Sequence, residues 1–200
     1  LFDSYQKDYP LSQVFNSSII ISLLSFLDPN ILLLVPLIIV SSVNYDNISW
    51  RTFLTIIIGL IIPYFFYYVY SEINQSTFVT PNIKFNAIKI PSYESWTKIK
   101  LFWVLYVTLI CLLSFAELFK WLYKKSIRSR KSFIIILFYF FITFIIGIYG
   151  DNYSSWYYLI SPLAIIIGNY FTYYKKRRLA NVLFLILIIS SIYYRCFISI

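Results

Sequence analysis

The stretch Phe133–Tyr149 reads FIIILFYFFITFIIGIY and contains no charged residue. A helix that spans a bilayer needs about 20 mostly apolar residues, with a range of about 17–25. Directly before the run, Tyr123–Ser132 reads YKKSIRSRKS, with Lys124, Lys125, Arg128, Arg130 and Lys131 and no acid. Short Lys/Arg-rich loops stay on the cytoplasmic side of a membrane. The two segments together predict a transmembrane helix whose N-terminal end lies inside.

The rest of the chain has the same character. Of its 200 residues, 60% are hydrophobic, 22% aromatic and 12% charged. A soluble domain carries about 25% charged residues. A soluble fold of this size leaves roughly 30% of its unfolded area wet, too little burial for so apolar a chain. Lipid is therefore part of its solvent. The formal charge is +9, from 17 Lys+Arg against 8 Asp+Glu. In a soluble protein that balance would suggest nucleic acid. Here the basic residues lie between apolar runs, so the membrane rule explains them and no nucleic-acid partner is expected. The chain contains no methionine. The expectation is that it is the C-terminal part of a longer protein or has lost its start by processing.

Working outward from Phe133–Tyr149, six more apolar helices are predicted: Leu11–Leu27, Ile31–Val43, Thr52–Ser71, Leu101–Leu122, Trp156–Tyr174 and Asn181–Ile198. Only Asp28-Pro29-Asn30 separates the first two, and these turn formers make a tight helical hairpin. Ile31–Val43 is short enough to be tilted or re-entrant. Thr52–Ser71 holds Gly59 and Pro63, which permit a kink. The fold class is all-α, a single membrane domain built as a multi-pass bundle of about seven helices.

A second basic block, Lys175, Lys176, Arg177 and Arg178, anchors the next cytoplasmic loop. Gly150–Ser155 between the blocks is then outside. Counting backwards, Glu72–Lys100 is outside, Asn44–Arg51 inside and Asp28 outside. The N-terminus lies inside and the C-terminus outside. Thr77–Val79 and Ile83–Ile90 in the long external loop have the composition of short strands. Tyr64, Tyr67, Tyr68, Tyr70, Trp96, Trp103, Trp121, Tyr157 and Tyr158 cluster at predicted boundaries, as an aromatic belt does.

Few residues carry chemistry. There is no His, which removes the commonest general base and metal ligand. Cys111 and Cys196 lie in apolar segments and read as small hydrophobes. No metal site and no cofactor are expected. Glu117 and Lys120 are spaced for an i,i+3 pair near a helix end, and Arg195 is placed to snorkel. No acid-base chain crosses the bilayer, so a proton-coupled pump is not supported. The catalytic candidates are the external acids Asp28 and Asp151, as a general base on an acceptor. Capping and turn formation are their structural alternatives. Lys84, Lys89, Lys98 and Lys100 are candidates for a phosphate or lipid headgroup, or form a solvated loop.

Two stretches carry a resemblance. Leu23–Tyr64 and Gly150–Tyr170, with the opening Leu1-Phe2-Asp3, resemble an uncharacterised family of polytopic inner-membrane proteins from Bacteroidota. A wider likeness is to GT-C membrane glycosyltransferases. Leu24, Leu27, Pro29, Leu32–Leu34 and Pro36 are similar to their short helix pair. Gly59 and Pro63 are similar to a later helix, and Tyr157, Tyr158 and Pro162 to an aromatic-rich one. Trp156 stands where that group often has Arg. The likeness implies a multi-pass protein of the bacterial inner (cytoplasmic) membrane that handles a polyprenyl-linked sugar in cell-envelope biogenesis. The alternative is a non-enzymatic scaffold or envelope-assembly partner. The bilayer itself is the first partner under either reading.

Overall fold

The computed structural model describes residues 10–76, 83, 98–123, 126–149 and 153–198. Among these residues seven α-helices follow one another: α1 (Leu11–Leu24), α2 (Val35–Asn44), α3 (Trp50–Ile73), α4 (Lys98–Leu122), α5 (Ile127–Tyr149), α6 (Ile160–Tyr173) and α7 (Arg177–Ile198). A 3-10 helix at Pro29–Leu34 leads into α2, and another at Tyr153–Leu159 leads into α6. Among the described residues there is no strand. The strands expected at Thr77–Val79 and Ile83–Ile90 lie outside the described residues, Ile83 excepted.

Among the described residues, three helices are long and apolar enough to cross a membrane: α3, Leu101–Lys120 within α4, and α5. Within those spans only 17–28% of residues are buried inside the protein. Many of the others are exposed Leu, Ile and Phe side chains. Exposed apolar surface on that scale would aggregate in water, whereas in lipid it is already solvated.

The helix limits have local causes. The apolar run of α5 is 17 residues, about 26 Å of helix, against about 30 Å of hydrocarbon. The helix begins instead at Ile127 and takes Arg128, Arg130 and Lys131 into its first turns. Long cationic side chains can be helical there and still reach the headgroups. At the other break, Asp28 is extended and its side chain accepts the Asn30 N–H at 2.9 Å. Pro29 follows at the first helical position, where its fixed φ is favourable. Pro36 stands one residue into α2. In a continuous α-helix its ring would meet the carbonyl four residues back, which accounts for the tighter 3-10 winding of Pro29–Leu34. Pro162, in the first turn of α6, follows the second 3-10 helix in the same way. The 3-10 rise also adds reach: six residues at about 2.0 Å and ten at about 1.5 Å extend Pro29–Asn44 to about 27 Å.

The chain forms two compact units. The first holds α1, α2, α3, α5 and both 3-10 helices. Its core is Val14, Ile38 and Ile56, flanked by Ile21, Val35, Ile39 and Leu60. α1 and α3 run parallel and approach closely through small residues, the arrangement that tightens helix pairs in membranes. A Cβ on Gly59 would lie 2.7 Å from the Ser18 Cβ. Ser22 Oγ donates to the Leu60 carbonyl at 2.7 Å, next to the carbonyl that Pro63 leaves without an N–H. One turn on, the hydroxyls of Ser25 and Tyr64 are hydrogen-bonded. Ser18, Ser41, Ser42 and Thr143 return their hydroxyls to carbonyls three or four residues back. The hydroxyls are therefore satisfied without water.

α2 and α5 of this unit run antiparallel and clasp at one end. Asn44 Nδ2 donates to the Lys131 carbonyl at 2.6 Å, Tyr45 Oη pairs with Ser132 Oγ at 3.0 Å, and the Lys131 ammonium pairs with Asp46. Residues 44–46 and 131–132, which alternation puts on one side of the bilayer, thus meet. Asp28 and Tyr158 meet at the opposite end.

The second unit holds α4, α6 and α7. Ile110, Ser114 and Leu118 make a fully buried stripe along α4, at the four-residue spacing of one helix face. Ile166 and Tyr170 of α6 are buried in the same unit. Tyr106 Oη donates to the Leu183 carbonyl of α7 at 2.9 Å, and Phe171 meets Phe184 edge-on at 5.2 Å.

Candidate functional site

Asp28 is half-buried and both carboxylate oxygens are engaged. Oδ1 accepts the Asn30 N–H at 2.9 Å, and Oδ2 accepts the Tyr158 hydroxyl at 2.8 Å. The first bond caps the 3-10 helix at Pro29–Leu34 and satisfies a donor that helix geometry leaves orphaned. The second ties that helix to the 3-10 helix at Tyr153–Leu159. Each oxygen takes one protein donor and keeps further acceptor capacity. The geometry is that of a clamp. α5 supports it from below: Trp156 lies over Gly147, where an added Cβ would come within 3.1 Å of the indole, and meets Phe144 edge-on at 6.3 Å.

The other external candidates are placed unevenly. Asp151, Lys84 and Lys89 lie outside the described residues, as do Lys124 and Lys125 of the basic block. Lys98 and Lys100 occupy the first turn of α4. Arg128, Arg130 and Lys131 start α5, Lys175 and Lys176 precede α7, and Arg177 and Arg178 open it. The Glu117–Lys120 pair forms as its spacing implied, with Lys120 Nζ 3.2 Å from Glu117 Oε1. Cys111 is a free thiol, half-buried within α4.

A feature that the sequence did not disclose lies immediately after Lys98 and Lys100. Phe102, Trp103 and Tyr106 of α4 and Ile186, Ile189, Ser190 and Tyr193 of α7 enclose a groove of about 400 Å³. Its lining is almost wholly apolar. Tyr106 contributes ring surface while its hydroxyl goes to Leu183. Trp103 reads in sequence as a belt residue, and nothing in the α7 sequence marks Ile186, Ile189 and Tyr193 as its neighbours. The pairing arises because α4 and α7, 77 positions apart at the Tyr106–Leu183 bond, run antiparallel. The groove has the dimensions of a small-ligand site, and its chemistry suits hydrocarbon.

No curated protein and no solved structure matches this chain. The profile of a family of unknown function, DUF6427, matches residues 1–200. The chain belongs to that family.

Proposed function

We propose that this protein resides in a bacterial cytoplasmic membrane and holds a phosphate-bearing isoprenoid lipid, with the chain in the α4–α7 groove and the phosphate at Lys98 and Lys100. The observation that carries the reading is the order of features along α4: two lysines in the first turn, then an aromatic-lined apolar groove one turn on. A lysine is a suitable point-charge partner for phosphate, and cationic side chains as a class favour the headgroup layer at helix ends. The hydrocarbon follows the helix axis downward from there. This substrate class agrees with the GT-C likeness, in which a polyprenyl-linked sugar is handled on the outer leaflet in envelope biogenesis. On this reading the N-terminus is cytoplasmic and the groove opens on the external side, as the two basic blocks require.

A second reading is a non-enzymatic scaffold for envelope assembly. The engagement of both Asp28 oxygens favours it, because that carboxylate then serves structure.

The test is native mass spectrometry of the purified protein with undecaprenyl phosphate and, separately, phosphatidylglycerol. Preferential retention of the polyprenyl phosphate is expected, falling at least about tenfold in the Lys98→Gln/Lys100→Gln double variant, the loss of about 1.4 kcal/mol. Ile189→Trp, which fills the groove, should abolish the preference. Equal retention of both lipids by the natural protein would overturn the proposal and leave the scaffold reading.

A further inference from the structure

At the far end of α4 from Lys98, Glu117 faces a second, much smaller cavity in the same unit. It has a volume of about 20 Å³ and is lined by Glu117, Asn169, Tyr170, Tyr173 and Tyr174. Asn169 is 9% exposed, and its Oδ1 is buried without a hydrogen-bond partner. Buried polar atoms are almost always paired, so an orphaned one asks for an explanation. The cavity provides room for one: a volume of ~20 Å³ admits a single water-sized particle. Whatever sits there must bring positive charge or a donor, because an amide oxygen only accepts.

The other groups around the cavity are of the same kind. Glu117 presents a carboxylate, and one of its oxygens already accepts from Lys120, whose side chain is largely exposed. The three tyrosines present phenolic oxygens, and Tyr170 and Tyr174 hold each other with ring centroids 4.8 Å apart. Hard cations take oxygen ligands. Calcium wants 6–8 of them, more than this cavity can supply, and a single carboxylate already shared with Lys120 leaves a divalent charge uncompensated. Glu117 lies in the last turns of α4 and its side chain is 35% exposed, so water reaches its side of the cavity.

We infer that Glu117, Asn169 and the neighbouring tyrosines form a site for one partly dehydrated monovalent cation of sodium size, wedged between α4 and α6. Lys120 is its built-in competitor: its ammonium holds Glu117 when the site is empty. The cation joins the two helices at the end opposite the lipid groove, and the site stands independently of what that groove holds.

The experiment is thermal unfolding of the purified full chain in detergent, titrated with NaCl, KCl or choline chloride at constant ionic strength. Sodium should raise the midpoint saturably by a few degrees, as a ligand that binds only the folded state must. Choline should not, and potassium should act more weakly. Glu117→Gln should weaken the sodium response at least about tenfold in concentration. Asn169→Asp should strengthen it, and Lys120→Gln should too, by removing the competitor. If Asn169→Asp does not fold, Glu117→Gln and Lys120→Gln carry the test by their opposite shifts. Identical midpoints in all three salts would mean that the cavity holds only water and would overturn the inference. So would a sodium response unchanged in Glu117→Gln.

Discussion

Tyr158 donates its hydroxyl to Asp28 at 2.8 Å, joining two 3-10 helices 130 positions apart. The bond unites two similar devices, since each 3-10 helix leads into an α-helix with proline in its first turn. Removing the donor in Tyr158→Phe should lower stability by about 0.5–1.5 kcal/mol, the range for a hydrogen bond at such a site. Asp28→Ala should cost more, about 1–3 kcal/mol, because it deletes the cap as well. A double-mutant cycle read by thermal unfolding in detergent should give a coupling of at least about 0.5 kcal/mol. Additive losses would show that the two residues do not act together.

Gly59→Ala places a methyl group 2.7 Å from the Ser18 Cβ. Both atoms belong to rigid helix faces, so α1 and α3 must part. The expected loss is about 1–3 kcal/mol, the range for overpacking. Ser18→Gly removes the opposing atom, and the double variant should recover most of the midpoint lost by Gly59→Ala. Failure of that rescue would place the strain elsewhere.

Asp46 has a φ of 59° and pairs with Lys131. Its side chain is 81% exposed, so the ion pair itself should be worth less than about 1 kcal/mol. The backbone matters more, because left-handed φ suits Asn and Gly and penalises branched residues. Asp46→Asn and Asp46→Gly should leave the unfolding midpoint nearly unchanged, while Asp46→Val should lower it by several degrees. Equal effects of the three substitutions would mean that the charge pair dominates.

The orientation is checked independently of stability. A reporter fused after Arg130 should be active on the cytoplasmic side, and one fused after Asn152 on the external side. The opposite pattern would invert the topology and put the α4–α7 groove in the inner leaflet.

Helical class and helix number were legible because a membrane removes ambiguity: an apolar run of spanning length has few alternatives. The break at Asp28-Pro29-Asn30 was legible as well, and so was Asp28 as a cap. The 3-10 winding was not, since it depends on where Pro36 and Pro162 fall relative to helix starts that composition leaves undefined. The start of α5 was read six residues late. Arg128, Arg130 and Lys131 mark a headgroup level, and that level need not coincide with the end of a helix. The partners of Asp28 and Tyr106 were hidden for a simpler reason. Tyr158 and the Leu183 carbonyl are distant in sequence, and twenty tyrosines give no sign of which hydroxyl is engaged. Glu117 and Lys120 were visible as a pair, but Asn169 opposite them reads as one more polar residue of an Asn-rich chain.

The clasp between α2 and α5 has a consequence in time. Asn44 and Tyr45 take their partners from Lys131 and Ser132, 87 positions later, and α4 lies between them in sequence. As the chain leaves the ribosome, α1 and α3 can join through Ser18, Ser22 and Gly59 as soon as both exist. The polar groups that cap α2 must wait until a helix of the other unit has been synthesised. The first unit is therefore completed by late arrivals: Lys131 engages the end of α2 and the turn after it through its carbonyl and its ammonium, and Tyr158 reaches Asp28 later still.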